Sequence, residues 1–314
     1  MKISTPEASG VLVLDKPAGM TSHDVVARLR GVLGIRRVGH AGTLDPMATG
    51  VLVLGFGRGT RLLPYLQATT KEYLATIRLG LATTTDDRTG EPLHDPVAVT
   101  CDEAAIDTQL GLLTGDIAQR PSAVSAVKVD GQRAYARVRR GEQVELAARP
   151  VTIQRFERLG PARRTESGGL AVDVQVISSS GTYVRALARD LGNTLGCGGH
   201  LTSLHRVAVG PFRIEAAAPV PGPTGPAPAV VSLAAAAGAV LPTVLLDDQD
   251  RQHVCCGLRI ECQHDAPIGP VALLADGGEL VAIAAATAGK WHYLAVFAAP
   301  LLGAASQDVA RLRP

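Results

Sequence analysis

The chain has 314 residues, enough for one large core and a smaller second one, and its net charge of +2 does not announce a nucleic-acid binder. Only five of the 31 basic residues are Lys, so Arg dominates; its fork suits phosphates and bases, but GC-rich codons give the same bias and composition does not decide. Cys101, Cys197, Cys255, Cys256 and Cys262 are odd in number and lack metal-type spacing, which argues against a disulfide scaffold or a zinc site.

Met1-Lys2-Ile3-Ser4-Thr5-Pro6 has no apolar signal region, and a reduced, cytoplasmic protein is expected. Val11-Leu12-Val13-Leu14 reads as a buried strand ended by Asp15-Lys16-Pro17-Ala18-Gly19. Thr21-x-x-Asp24 forms a capping box for a helix with Val25, Val26, Leu29, Val32 and Leu33 on one face, and Gly34 stops it. Arg28, Arg30, Arg36 and Arg37 precede the next loop, either as solvated helix residues or as phosphate contacts.

Gly39-His40-Ala41-Gly42-Thr43-Leu44-Asp45-Pro46-Met47-Ala48-Thr49-Gly50 then surrounds one acid with glycines and a proline, ahead of the strand Val51-Leu52-Val53-Leu54. A stiff loop is expected, holding Asp45 at a defined place. A phosphate cradle does not fit, because no Lys follows in the P-loop pattern and a central carboxylate would repel the anion. A plain Asx turn is the other structural reading.

Thr60 is placed to cap a short helix to Gln67. Lys71 to Gly80 alternates as a strand with Tyr73, Ala75, Ile77 and Leu79 on one face. The polar loop Thr83-Thr84-Thr85-Asp86-Asp87 comes next, and Thr100-x-x-Glu103 caps a helix through Ile106 and Leu110 to Gly115. After Gln119-Arg120-Pro121-Ser122-Ala123-Val124-Ser125-Ala126-Val127-Lys128, residues 130 to 150 hold Arg133, Arg137, Arg139, Arg140 and Arg149 with few apolar anchors. That stretch reads as a mobile basic loop or an inert solvated one.

Two strands, near Val151–Phe156 and Leu170–Ile177, lead to Ser178-Ser179-Ser180-Gly181-Thr182-Tyr183-Val184-Arg185. Ser180 is placed to cap a helix that Gly196 stops, with Tyr183, Val184, Leu187, Leu191 and Leu195 inward. Arg185 sits beside that apolar stripe, which calls for a carboxylate partner. Leu201-Thr202-Ser203-Leu204-His205-Arg206 follows, and a Pro/Gly-rich linker over residues 218 to 230 closes the first domain. The alanine-rich run from Ala227 to Leu246 reads as linker and soluble helix, not a membrane span. Short strands around Val271–Leu274, Leu280–Ala285 and Tyr293–Phe297 indicate a small β domain. The Pro/Gly linker suggests that it folds separately.

These segments carry a resemblance. Gly39 to Pro46 closely resembles the GH-x-G-x-LDP signature of the bacterial tRNA pseudouridine synthases of the TruB type. Asp15 to Ser22, Lys71 to Gly80 with Thr83 to Asp87, Gln119 to Lys128, Ser180 to Arg185, and Leu201 to Arg206 resemble that family's other motifs, in family order. The resemblance implies an α+β fold over residues 1–240, with a central mixed, largely antiparallel sheet flanked by helices, and a small β-rich PUA-like domain over 241–314. It implies isomerisation of the T-loop uridine of the TΨC arm of tRNA after base flipping, with no metal or organic cofactor. Asp45 would attack C1′, add to C6 of the base, or remove a 2′ proton. Arg185 would keep it charged and aimed, and Tyr73 would stack on the flipped base. Leu204 would wall the pocket, His40 would fill the space the nucleotide leaves, and Gly42, Lys128, Arg36 and Arg37 would contact substrate.

A stand-alone monomer without a protein partner or membrane attachment is expected. The alternatives are a tRNA-binding or chaperone protein with incidental catalysis, and a guide-RNA-dependent pseudouridylase.

Overall fold

Strands that are apolar at every position need cover on both faces, and the first two main strands show why. In the computed structural model, which describes residues 8–123, 128–129, 132–133 and 146–298 (backbone alone at 128–129 and 132–133), Gly10–Lys16 (β1) pairs antiparallel with Thr49–Phe56 (β3). Leu12, Leu14, Leu52 and Leu54 face the helix Ser22–Leu33 (α1) through Val25, Val26, Leu29 and Leu33. Val11, Val13, Val51 and Val53 face a second apolar cluster on the other side. Between β1 and β3 lies the short strand Val38–His40 (β2), paired to β3.

Lys71–Leu79 (β4) alternates as expected, burying Tyr73, Ala75, Ile77 and Leu79 on one face. Gly115–Gln119 (β5), Lys128–Val129 (β6), Gln132–Arg133 (β7), Arg149–Arg158 (β8), Arg163–Arg164 (β9) and Leu170–Ser178 (β10) follow, with Gly199–Val209 (β11), Phe212–Arg213 (β12) and Ala218–Pro219 (β13) later in the chain. The main sheet runs β13-β1-β3-β11-β4-β10-β8-β5. Its β1–β13 and β3–β11 contacts are parallel and the other neighbours antiparallel, the mixed and largely antiparallel sheet that the family resemblance implied. On the β4 face pack Glu103–Leu112 (α3), through Ile106 and Leu110, and Val184–Thr194 (α4), through Val184, Leu187, Ala188 and Leu191. The short helix Leu63–Gln67 (α2) places Leu66 in the other cluster.

Three expected caps fall elsewhere. The Thr60 hydroxyl donates to the Gly57 carbonyl within a 3-10 turn, so it does not cap, and α2 starts at Leu63 without a side-chain cap. Asp102 takes the role expected of Thr100: its carboxylate accepts from Ala105 N at 2.8 Å, the stronger charged version of the same bond. Ser180 is exposed and lies outside α4, whose first flanking residue is Tyr183 with no side-chain cap of its own.

The segment from 218 to 230 does not span open solvent. Ala218 and Pro219 pair with Leu14 and Asp15, Val231 bridges Val11, and Arg28 Nη1 donates to Pro221 O at 3.2 Å. Leu233–Gly238 (α5) and Asp248–Cys255 (α6) then flank a four-stranded sheet of Thr243–Leu246 (β14), Pro270–Ala275 (β15), Leu280–Thr287 (β16) and Lys290–Val296 (β17). Ala272, Leu280, Ile283, Ala295 and Phe297 of this unit join Val11, Val13, Val51 and Val53 in one cluster. Arg58 and Arg61 donate to the carbonyls of Phe297 and Val296, and Arg61 stacks 5.5 Å from the Phe297 ring centre. The two sheets therefore share a core, with α5 packed against both β1 and the strands β15 and β16. Among the described residues no helix is long and apolar enough to cross a membrane.

Candidate active site

The loop between β2 and β3 is fixed at both ends and from below. Gly42 and Gly50 take φ of +114° and +99°, backbone that a side chain disfavours, and a Cβ on Gly50 would come within 2.2 Å of Arg206 O. The buried Arg206 guanidinium donates to Val51 O at 2.7 Å and Gly42 O at 3.2 Å, tying the loop's two ends together. Ser22 Oγ, at the start of α1, accepts from Leu44 N at 2.8 Å and donates to Leu44 O at 3.1 Å. Gly19 N donates to Pro46 O at 2.8 Å. The Asp15–Ser22 motif is thus the floor on which the Asp45 loop rests.

Asp45 meets Arg185 across 140 positions of sequence, Nε to Oδ2 at 2.9 Å and Nη2 to Oδ1 at 3.2 Å, a two-pronged pair. Arg185 is 5% exposed, so the carboxylate it requires is present. Its Nη1 donates to Thr85 O at 2.8 Å and lies 3.6 Å from Asp87 Oδ2. Asp87 is itself buried, and its Oδ1 accepts from Thr85 Oγ1 at 2.7 Å, Thr89 N at 2.9 Å and Thr89 Oγ1 at 2.6 Å. One guanidinium therefore carries two carboxylates. Asp45 alone of the three charged groups is open, with one third of its side chain exposed.

Tyr73 and Leu204, on the adjacent strands β4 and β11, are buried in one cluster with Leu44 and Ala48 of the loop. His40 ends β2 opposite Leu54, half-buried, immediately before the loop. Arg36 and Arg37 are exposed on the turn after α1, with Arg37 Nε bonded to Thr60 Oγ1 at 2.7 Å. Lys128 lies in β6, and its side chain is outside the described residues, as are Val124, Arg137, Arg139 and Arg140.

The helix carrying Arg185 begins on a bracket from β5. Gln119 Nε2 donates to Tyr183 O at 3.1 Å and Gln119 Oε1 accepts from Tyr183 N at 2.8 Å. This buried amide holds the peptide where a Ser180 cap was expected.

Two lysines, Lys16 on β1 and Lys71 on β4, are buried. Lys16 Nζ donates to Met20 O at 2.7 Å and Pro17 O at 2.9 Å; burial pulls it down to about 8, with Asp45 opposing and Arg206 reinforcing the shift. Lys71 bonds the Gln67 and Thr69 carbonyls and is likewise lowered to about 8, by burial first and Arg206 second. A lowered folded-state value means that the unfolded chain holds more protons between pH 8 and the ordinary lysine value, so these residues' contribution to stability rises with pH across that window. Wild-type protein should therefore gain on Lys71→Met as pH climbs from 8 towards 10, read from urea midpoints. A gap independent of pH would show that Lys71 is not held in this lowered state.

Two family models match consecutive stretches: TruB family pseudouridylate synthase (N terminal domain) over residues 30–184, and tRNA pseudouridylate synthase B C-terminal domain over residues 185–220. Proteins named tRNA pseudouridine synthase B from Corynebacterium aurimucosum and Thermobifida fusca are 53% and 52% identical, over 81% and 93% of this chain and 85% and 99% of theirs. A solved Cbf5-Nop10-Gar1 complex matches with a TM-score of 0.70 at 25% identity, covering 95% of this chain and 88% of that one. The fold is that of a pseudouridine synthase. The chain belongs to the TruB family of pseudouridylate synthases.

Proposed function

We propose that this protein isomerises the T-loop uridine of tRNA to pseudouridine, with Asp45 as the reacting acid. The observation that carries this reading is the Asp45–Arg185 pair, an accessible carboxylate gripped by a sealed guanidinium. The reaction breaks the N1–C1′ bond, turns the uracil and joins C5 to the sugar, so it is redox-neutral. Cleaving a glycosidic bond calls for a carboxylate near the anomeric carbon. Arg185 aims that carboxylate and offsets its charge, while Asp87 and Thr85 O hold Arg185 from behind.

The base must first leave its stack, which costs a few kcal/mol. Tyr73 and Leu204 supply the apolar wall that receives it. His40, at the lip of the loop, takes the space the nucleotide vacates; Gly42, Arg36, Arg37 and Lys128 meet the RNA. The C-terminal sheet adds backbone contacts to the tRNA elbow, as a PUA-like unit would. Action is by a cytoplasmic monomer without a partner protein.

Binding alone does not need the acid, which weighs against a pure RNA-binding role. The relatives named tRNA pseudouridine synthase B are about twice as similar in sequence as the chain in the Cbf5 complex, which weighs against guide dependence. The test is the purified chain with an unmodified tRNA transcript and nothing else, assayed for pseudouridine by position. Conversion of the T-loop uridine is expected; no product, or product elsewhere, would overturn the reading.

Tyr73→Phe separates two uses of the ring. Affinity for tRNA should be unchanged, because the stacking face survives, and the single-turnover rate should fall if the hydroxyl assists proton exchange at C5. Equal rates would leave Tyr73 as a platform only.

A further inference from the structure

Arg189 lies one helical turn beyond Arg185 on α4, and it does not touch Asp45. Its Nη1 donates to Asp86 Oδ2 at 3.1 Å, its Nη2 to Arg120 O at 2.7 Å and its Nε to Asp190 Oδ1 at 2.9 Å. Asp86 has φ of +59°, one of two positive-φ residues other than glycine among those described. That conformation is costly for a residue with a Cβ and persists when surrounding bonds enforce it.

The neighbours of Asp86 are the residues that hold Arg185. Thr85 offers its carbonyl and Asp87 its carboxylate, so three successive residues dock alternately on two arginines a turn apart. The turn is also held by Asp86 N to Thr83 O, Leu201 N to Asp86 O, Arg88 N to Leu201 O, Thr83 Oγ1 to Asp87 O at 2.7 Å and the Thr85 and Thr89 bonds to Asp87 Oδ1.

We propose that Arg189 is a positioning residue for the reaction: by pinning the left-handed Asp86 it holds Thr85 and Asp87 against Arg185, and so fixes the direction of Asp45. This rests on the function proposed above. Arg189 acts through the turn and needs no contact with the reacting uridine.

The experiment is a two-residue cycle on the full chain with unmodified tRNA. Arg189→Ala should slow single turnover at saturating enzyme by about tenfold or more, with half-saturation unchanged within about twofold. Glycine adopts positive φ without a Cβ penalty, so Asp86→Gly in that background should recover most of the loss. It also removes one of the two carboxylates that lose Arg189, the other being Asp190. In the Arg189 background, Asp86→Ala should slow the reaction more than Asp86→Gly.

Thermal unfolding of the same four proteins supplies a readout without substrate. Arg189→Ala should lower the melting temperature, and Asp86→Gly should return part of it. If wild-type protein makes no pseudouridine, the functional reading fails, and the unfolding cycle still decides whether Arg189 pins the left-handed Asp86. A raised half-saturation with an unchanged saturating rate would make Arg189 an RNA contact and overturn the proposal. So would the absence of rescue by glycine in either readout.

Discussion

Asp45→Asn should leave a folded protein that binds tRNA with nearly wild-type affinity and has lost at least about a thousandfold in single-turnover rate, roughly 4 kcal/mol of barrier. The fold tolerates the change because Arg185 keeps a second carboxylate, Asp87, and the Thr85 carbonyl. The loop also keeps its backbone anchors at Ser22, Gly19 and Arg206. Asparagine matches aspartate in size but presents an amide NH2 to one prong of the guanidinium, a donor facing a donor. It supplies neither the negative charge nor the nucleophilic oxygen. Binding should survive because the side chain is one contact within a large RNA interface, whose affinity rests mainly on phosphates. Residual activity within about tenfold of wild type, or about 1.4 kcal/mol, would mean that another group performs the chemistry.

Legibility in the sequence followed the range of the interaction. Asp45 stood out because glycines and a proline around an acid are a local statement about backbone. The alternation of β4 and the capping box of α1, with Thr21 Oγ1 accepting from Asp24 N at 3.0 Å, are local too. The need of Arg185 for a carboxylate followed from its place beside an apolar stripe, whereas its partner came from family resemblance. Asp87 read as part of a polar loop, because its burial depends on β11 and α4, which lie far away in sequence. The caps at Thr60, Thr100 and Ser180 failed for a different reason. Several hydroxyls and carboxylates compete near each helix start, and tertiary contacts choose among them. At α4 the choice fell on Gln119, from another strand. Nor does a Pro/Gly-rich linker reveal that the strands after it return to complete the core on β1 and β3.

Arg185→Lys should be nearly as damaging as loss of the acid, although the charge is kept. The guanidinium spends Nε and Nη2 on the two oxygens of Asp45 and Nη1 on Thr85 O, with Asp87 Oδ2 close by. An ammonium is a single point on a flexible stem and cannot reproduce a planar fork serving two carboxylates. In a site where the guanidinium is 5% exposed, water has little room to supply the missing donors. One carboxylate is left poorly matched, and the direction of Asp45 is no longer set by two parallel bonds. A single-turnover rate lower by about a hundredfold or more is expected, about 2.7 kcal/mol. Affinity for tRNA should change little, since Arg185 presents almost no surface to the RNA. Arg185→Met should also lower the melting temperature more than Arg185→Lys does, because it leaves Asp45 and Asp87 without the cation between them. A rate for the lysine variant within about tenfold of wild type would show that charge alone suffices and that the two-pronged geometry is not what orients the acid.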